Sequence, residues 1–417
     1  MTVLGHRALW LCGTAGAMAM AWGAQAAPRD ARVFDAATAA RAGQLDLLKS
    51  VVDIDSGTGD AEGAARVDAI LIPRLQALGA SIRKVPAEAP GLGENVVATL
   101  EGTGKGRILM IGHIDTVFPA GTVKHWAYHT DNLKAYGPGV SDEKGGVVEG
   151  ITALTLLHEL KFTGYARITL LIETSEETGS PGTRKLIDSL MRQNDVELNL
   201  EPGDAPDAIT VWRKGSTTYT IAVHGRAAHA GVAPQDGRNA AVELIHQLQA
   251  VEKLPHTGDG LTANLTVLKA GERNNIIPDL AEAQVNVRVR SADQLKLVQD
   301  ALEAQAKTTV VPDTKVEIST TPAFPPLPNN PATDALAARA KAIYAGIARP
   351  LETAGNGGAS ESALAHAAGT PALDGLGPVG GGFHSTREYL ELRTVTPRLY
   401  LLTELLMQIG AAPPAKP

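Results

Sequence analysis

The stretch RILMIGHIDTV, residues 107–117, decides how this chain is built. Four apolar residues in a row, Ile108 to Ile111, precede Gly112, and His113 and Asp115 then flank Ile114. An unbroken apolar run of this length predicts a strand covered on both faces, as in parallel sheets packed between helices. An imidazole and a carboxylate at its end predict a site, because open α/β sheets hold ligands beyond the carboxyl ends of their strands.

The flanking segments carry the same signature. ENVVATLEG (residues 94–102) reads as a strand, separated from RILMIGHID by the turn TGKG. ARITLLIETSEE (166–177) reads as a second buried strand that ends in acids. DEKGGVVEGITALTLLHEL (142–160) reads as a helix with its acids in the first turn, where the macrodipole favours them. Residues 39–54 and 63–80 have apolar positions at three-to-four spacing and read as helices. Strands alternating with helices predict an α/β sandwich with a mostly parallel sheet.

The pattern changes at Gly215. TTYTIAVHG, NAAVELIHQLQAVEKL, TANLTVLKAG, AEAQVNVRVR, ADQLKLVQDALEAQAKT and TKVEISTT follow in the order strand, helix, strand, strand, helix, strand. That is the βαββαβ order of a ferredoxin-like unit. PAFPPLPNNP (322–331) reads as a hinge, since closely spaced prolines oppose regular structure. The expected organisation is a larger domain formed by residues 27–214 and 326–417, interrupted by a smaller one, 215–325.

With 417 residues, 44% of them hydrophobic, the chain can bury a sizeable core. The 38 basic and 45 acidic residues give a net charge of −7, which argues against nucleic acid or an anionic membrane surface as partner. Residues 1–26 read as a secretory signal: Arg7, an apolar run, then the small-residue site AQA. The run is shorter than the roughly 20 residues of a spanning helix, so cleavage and a secreted or periplasmic location are expected. Cys12, the one cysteine, lies within this signal, so any metal in the mature chain must be held by His and carboxylates.

Six candidate residues besides Asp115 stand at strand-to-loop junctions or in glycine-rich turns: His113, Asp142 (in YGPGVSDEKGG), Glu176, Glu177, Glu201 (in VELNLEPG) and His384 (in GPVGGGFHSTREYL). Singly, each has an ordinary explanation as a surface histidine, a solvated acidic doublet or a helix cap. Together they form a mixed nitrogen and oxygen donor set at one sheet edge, which suits two zinc ions.

GHIDTV, AYGPGVSDEKGG, SEETGS, LEPG, HGRAAHAG, RNNIIPD and GGFHSTREYL occur in this order. The chain resembles the dinuclear-zinc exopeptidase and deacylase family over nearly its whole length beyond the signal. Within that family SGTGDAEG and the late-motif spacing resemble the secreted glutamate carboxypeptidase (carboxypeptidase G) type. The resemblance implies that Asp142 bridges two Zn2+, with Co2+ or Mn2+ as possible replacements. It implies that His113 and Glu201 complete one ligand set and Glu177 and His384 the other. Glu176 is then the general base, Asp115 the acid that orients His113, and His229 an oxyanion donor reaching the partner subunit of a homodimer. Arg288, Asn275, Gly357 and Gly358 would meet a substrate with a free α-carboxylate. Glu361, where family members often carry Asp, and Lys214 have open roles. The expected activity is hydrolysis of the amide to a C-terminal amino acid, glutamate. The rivals are an N-acyl amino acid deacylase with the same metal site, of the acetylornithine deacetylase or succinyl-diaminopimelate desuccinylase type, and a binding protein without turnover.

Overall fold

The computed structural model describes residues 28–415. The signal segment, Cys12 included, lies outside them. Among the described residues no helix is long and apolar enough to cross a membrane.

A six-stranded sheet forms the centre, in the order Ser81–Val85, Asn95–Glu101, Arg167–Glu173, Arg107–His113, Val196–Asn199, Ala372–Leu373. The last four strands run parallel, and the first two form an antiparallel edge. Residues 108–111 are fully buried because the strand alternates between two cores. Ile108 and Met110 join helices Ala31–Val52, Ala61–Ala77, Lys144–Glu159, Pro331–Gly346 and Val395–Ala411. Leu109 and Ile111 join helices Arg184–Gln193 and Ser362–Ala367 on the opposite face. Three neighbouring parallel strands therefore direct His113, the Glu176–Glu177 turn and Glu201 to one edge.

Between them descends the segment before helix Lys144–Glu159. The helix starts at Lys144, so Asp142 and Glu143 stand ahead of it rather than inside its first turn, and the Glu143 side chain makes no capping bond. These acids point at His113 instead. Gly146 makes the close approach possible: a Cβ there would lie 1.9 Å from the Leu200 carbonyl oxygen.

A separate four-stranded antiparallel sheet has the order Thr262–Ala270, Leu280–Val289, Gly215–His224, Lys315–Phe324. Chain order here is strand, helix Ala240–Gln247 (continued by Gln249–Glu252), two strands, helix Ala292–Ala306, strand. This unit has its own core, centred on Ile221, Val223, Leu244, Val285, Val287, Val298 and Leu302. The last strand runs into the proline-rich segment read as a hinge: Thr217 pairs with Pro322 and Ser216 with Phe324, across a bulge. Pro322 is tolerated because this strand is an edge, where a missing N–H costs no ladder bond. Irregular backbone begins only after Phe324.

Asp68 is almost fully buried, with Lys84 Nζ at 3.7 Å, and among the described residues its Oδ1 has no hydrogen bond. Burial pushes its pKa from 3.8 up to about 6, so the folded chain holds this proton more tightly than the unfolded one. Its contribution to stability is greatest below pH 4 and falls as pH rises through 6. Asp68→Asn should flatten urea-denaturation stability between pH 4 and 7 by about 1–3 kcal/mol relative to the parent. An unchanged pH slope would place the carboxyl's titration elsewhere.

Candidate metal centre

His113 ends its strand 1% exposed. Its Nδ1 is 2.9 Å from the Asp115 backbone carbonyl, which fixes the proton on Nδ1 and leaves Nε2 as a lone-pair donor. Among the described residues Nε2 has no hydrogen-bond partner. It faces Asp142 Oδ1 at 3.4 Å and Glu201 Oε1 at 3.7 Å, with Glu143 Oε2 at 3.6 Å and Glu176 Oε2 at 3.8 Å. On the other side of Asp142, His384 Nε2 lies 3.4 Å from Asp142 Oδ2 and 3.1 Å from Glu177 Oε2. Two donor groups result, His113–Asp142–Glu201 and Asp142–Glu177–His384, with Asp142 common to both. Donors about 2 Å from a tetrahedral ion stand roughly 3.3 Å apart, so these separations suit two cations.

The electrostatics point the same way. Burial and then the Glu361 carboxyl drive Glu176 well above the ordinary carboxylate range. The Asp142 and Glu177 carboxylates hold the His384 imidazole up to about 10. Cations at these positions would offset the same clustered acids.

Asp115 meets His113, as expected of it, and has a second part besides. Its backbone carbonyl makes the short contact with His113, while its Oδ1 is 3.5 Å from Nδ1. The carboxylate accepts from the amides of Glu176 (3.1 Å) and Glu177 (3.3 Å) and from Thr58 Oγ1 (2.6 Å). It therefore sets the turn from which Glu176 and Glu177 diverge.

Two further residues escaped the sequence reading. Glu388 accepts the amides of Ser141 (2.9 Å), Asp142 (3.1 Å) and Gly139 (3.3 Å), and so holds the loop that presents Asp142. Its only sequence signal was membership of the HSTREYL motif. Arg213 forms a bidentate pair with Asp374 at 2.6 and 2.7 Å, and its Nη2 reaches Glu201 Oε2 at 3.1 Å. Glu361 is buried behind the site and accepts from Asn199 Nδ2 and Ser180 Oγ.

A cleft of about 430 Å3 opens over these residues. Asp142, Glu176, Glu177 and Glu201 face Ser216, Thr218, Asn286 and Arg288 of the second sheet across it. Arg288 Nε donates to Asn286 Oδ1 at 2.9 Å, which orients its guanidinium. Gly358 also lines the cleft, but Gly357 does not. Lys214 is turned away, its Nζ bonded to the Gly258 carbonyl. His229 and Asn275 do not line the cleft either. They sit together on a short ribbon, Ala228–His229 paired with Ile276–Ile277, where Ala230 N donates to Asn275 O. His229 Nδ1 accepts the amides of Gly231 and Val232, so the ring carries its proton on Nε2.

The model of peptidase family M20/M25/M40 matches residues 109–408, the span that contains all five residues of the two donor groups. The chain belongs to this family. It is accordingly a metal-dependent peptidase or amidohydrolase. Carboxypeptidase G2 of Pseudomonas sp. (strain RS-16) is 33% identical over 392 residues, covering 93% of this chain and 94% of that protein. In fold, the M20 chain is similar to a tripeptidase from Staphylococcus aureus (TM-score 0.72, 21% identity, 89% of this chain and 98% of that one). It is also similar to an M20 family metallo-carboxypeptidase from Sulfolobus solfataricus (TM-score 0.70, 17% identity, 88% and 99%).

Glu388 gives a direct test of how the bridging acid is held. Glu388→Ala should leave the fold intact by circular dichroism and weaken metal retention about ten- to a hundredfold in dialysis against a chelator. Parent-like retention would show that the 139–142 loop keeps its shape without this carboxylate.

Proposed function

We propose that this M20 enzyme is a secreted carboxypeptidase that uses two zinc ions to hydrolyse the amide joining an acyl group to a C-terminal glutamate. The observation that carries the reading is a shared carboxylate, Asp142, between two donor groups, with Glu176 beside them and Arg288 across the cleft. Similarity to carboxypeptidase G2 over almost the full length supports the substrate class.

His113, Asp142 and Glu201 would hold one ion, and Asp142, Glu177 and His384 the other. Bound zinc would supply Lewis acidity, lowering the pKa of a water and polarising the scissile carbonyl. Glu176 would take a proton from that water and return it to the leaving amine. Arg288 would bind the α-carboxylate through its two-pronged guanidinium.

His229 completes the site from a second copy. Its Nε2–H is suited to an oxyanion, yet it sits outside the cleft of its own chain. Residues 215–325 would serve as the dimerisation and lid domain, hinged where the chain crosses at Gly215 and just beyond Phe324. The edge strand Thr262–Ala270 exposes Leu265 and Leu268, beside exposed Ile276 and Leu280, an apolar border suited to strand addition.

Steady-state kinetics on N-acyl glutamates, N-acetylornithine and N-succinyl-diaminopimelate test the substrate class. Higher kcat/KM on either of the last two would overturn it in favour of a deacylase, and binding without turnover would favour a non-catalytic protein. Glu176→Gln should keep both metals while kcat falls about 10²–10⁴-fold. His229→Ala should lose about 10²–10³ in kcat with metal retained. Mixing the two inactive variants should restore activity through one sound site per mixed dimer. Absence of recovery would place His229 outside the partner's site.

A further inference from the structure

We propose that Arg213 is a positioning residue that makes the two metal positions unequal, by tying down one oxygen of Glu201. The inference rests on the reading that these ligands hold two ions. Arg213 is 3% exposed and Asp374 is completely buried. The guanidinium is seated by two short bonds to Asp374, and Asp374 also accepts from Ser360 Oγ. The backbone of Arg213 is pinned at both ends of one residue, since its N–H and carbonyl both bond Leu327. A fork held in this way cannot follow a moving carboxylate. Its Nη2 donates to Glu201 Oε2, while Glu201 Oε1 faces His113 Nε2.

The consequence is geometric. Only Oε1 is turned toward the His113–Asp142–Glu201 group, so Glu201 serves that position through one oxygen at a set angle. Rotation into a two-oxygen grip would break a buried, charge-assisted bond. Glu177 is held differently. Its carboxylate meets His384, and among the described residues no arginine or lysine bonds it; the nearby support, Asp115, acts on its backbone amide. Removing Arg213 should therefore disturb one ion and spare the other.

The measurement is Zn2+ binding to the full chain by chelator competition, with Co2+ absorption as a second view of the ligand field. The parent should bind two ions. Arg213→Met should weaken one of them about ten- to a hundredfold and leave the other within about twofold, with an altered Co2+ spectrum for the weakened position. Arg213→Lys keeps the charge but loses the fork, and should resemble the Met variant. Two ions bound with parent affinity in Arg213→Met, equal weakening of both, or full recovery in Arg213→Lys would each overturn the proposal. If Arg213→Met fails to fold because Asp374 is left buried and unpaired, Arg213→Met/Asp374→Leu removes both charges and should show the same selective loss. A parent that binds no Zn2+ would instead overturn the two-metal reading itself.

Discussion

Five little-exposed carboxylates, those of Asp142, Glu143, Glu176, Glu177 and Glu201, meet the buried imidazole of His113 and the exposed one of His384 at one sheet edge. Like charges at this density cannot all be ionised without compensation. Burial raises Glu143 and Glu176 well above the usual carboxylate range, and the Asp142 and Glu177 carboxylates raise the pKa of His384. The rest of the molecule keeps these groups together despite their mutual repulsion. A large two-layer core fixes the strands, and backbone amides and one arginine fix the loops.

That support has a consistent form. Four of these five acids are held by a further group, whereas Glu143 accepts the amide of His113 itself. Asp115 takes the amides of Glu176 and Glu177, Glu388 takes those around Asp142, Asn199 takes the amide of Glu201, and Arg213 takes one of its oxygens. The second sheet adds Arg288 to the opposite wall, so that the negative centre faces a positive group across the cleft. On the proposed reading, an anionic substrate would lie between metal ligands and a cation, which would favour one orientation over its reverse.

Legibility followed the range of the interactions. The strand at 107–113 was readable because burial on both faces leaves an uninterrupted apolar run, a local signal. The donors were readable as a set because each closes a strand or turn. Asp142 was misplaced into the helix because an acid before an apolar period ordinarily begins one, whereas here both Asp142 and Glu143 are drawn to His113. Pro322 was misread as hinge because proline disfavours strands in general, while an edge strand admits it. Glu388 carried no signal beyond its motif, and Arg213 carried none. Glu388 acts on residues about 250 positions away, and Arg213 is seated by Asp374, 161 positions away.

The sequence by itself determined which donor types are present, where strands hand over to loops, and which family the chain resembles, because each depends on residue chemistry and short-range periodicity. Only the tertiary structure decided that Asp115 anchors the Glu176–Glu177 turn through its carboxylate, which oxygen of Glu201 is available, and that His229 and Asn275 stand outside the cleft of their own chain. These are matters of direction and separation between distant segments, and they follow from packing two helical layers and a second sheet around one strand end.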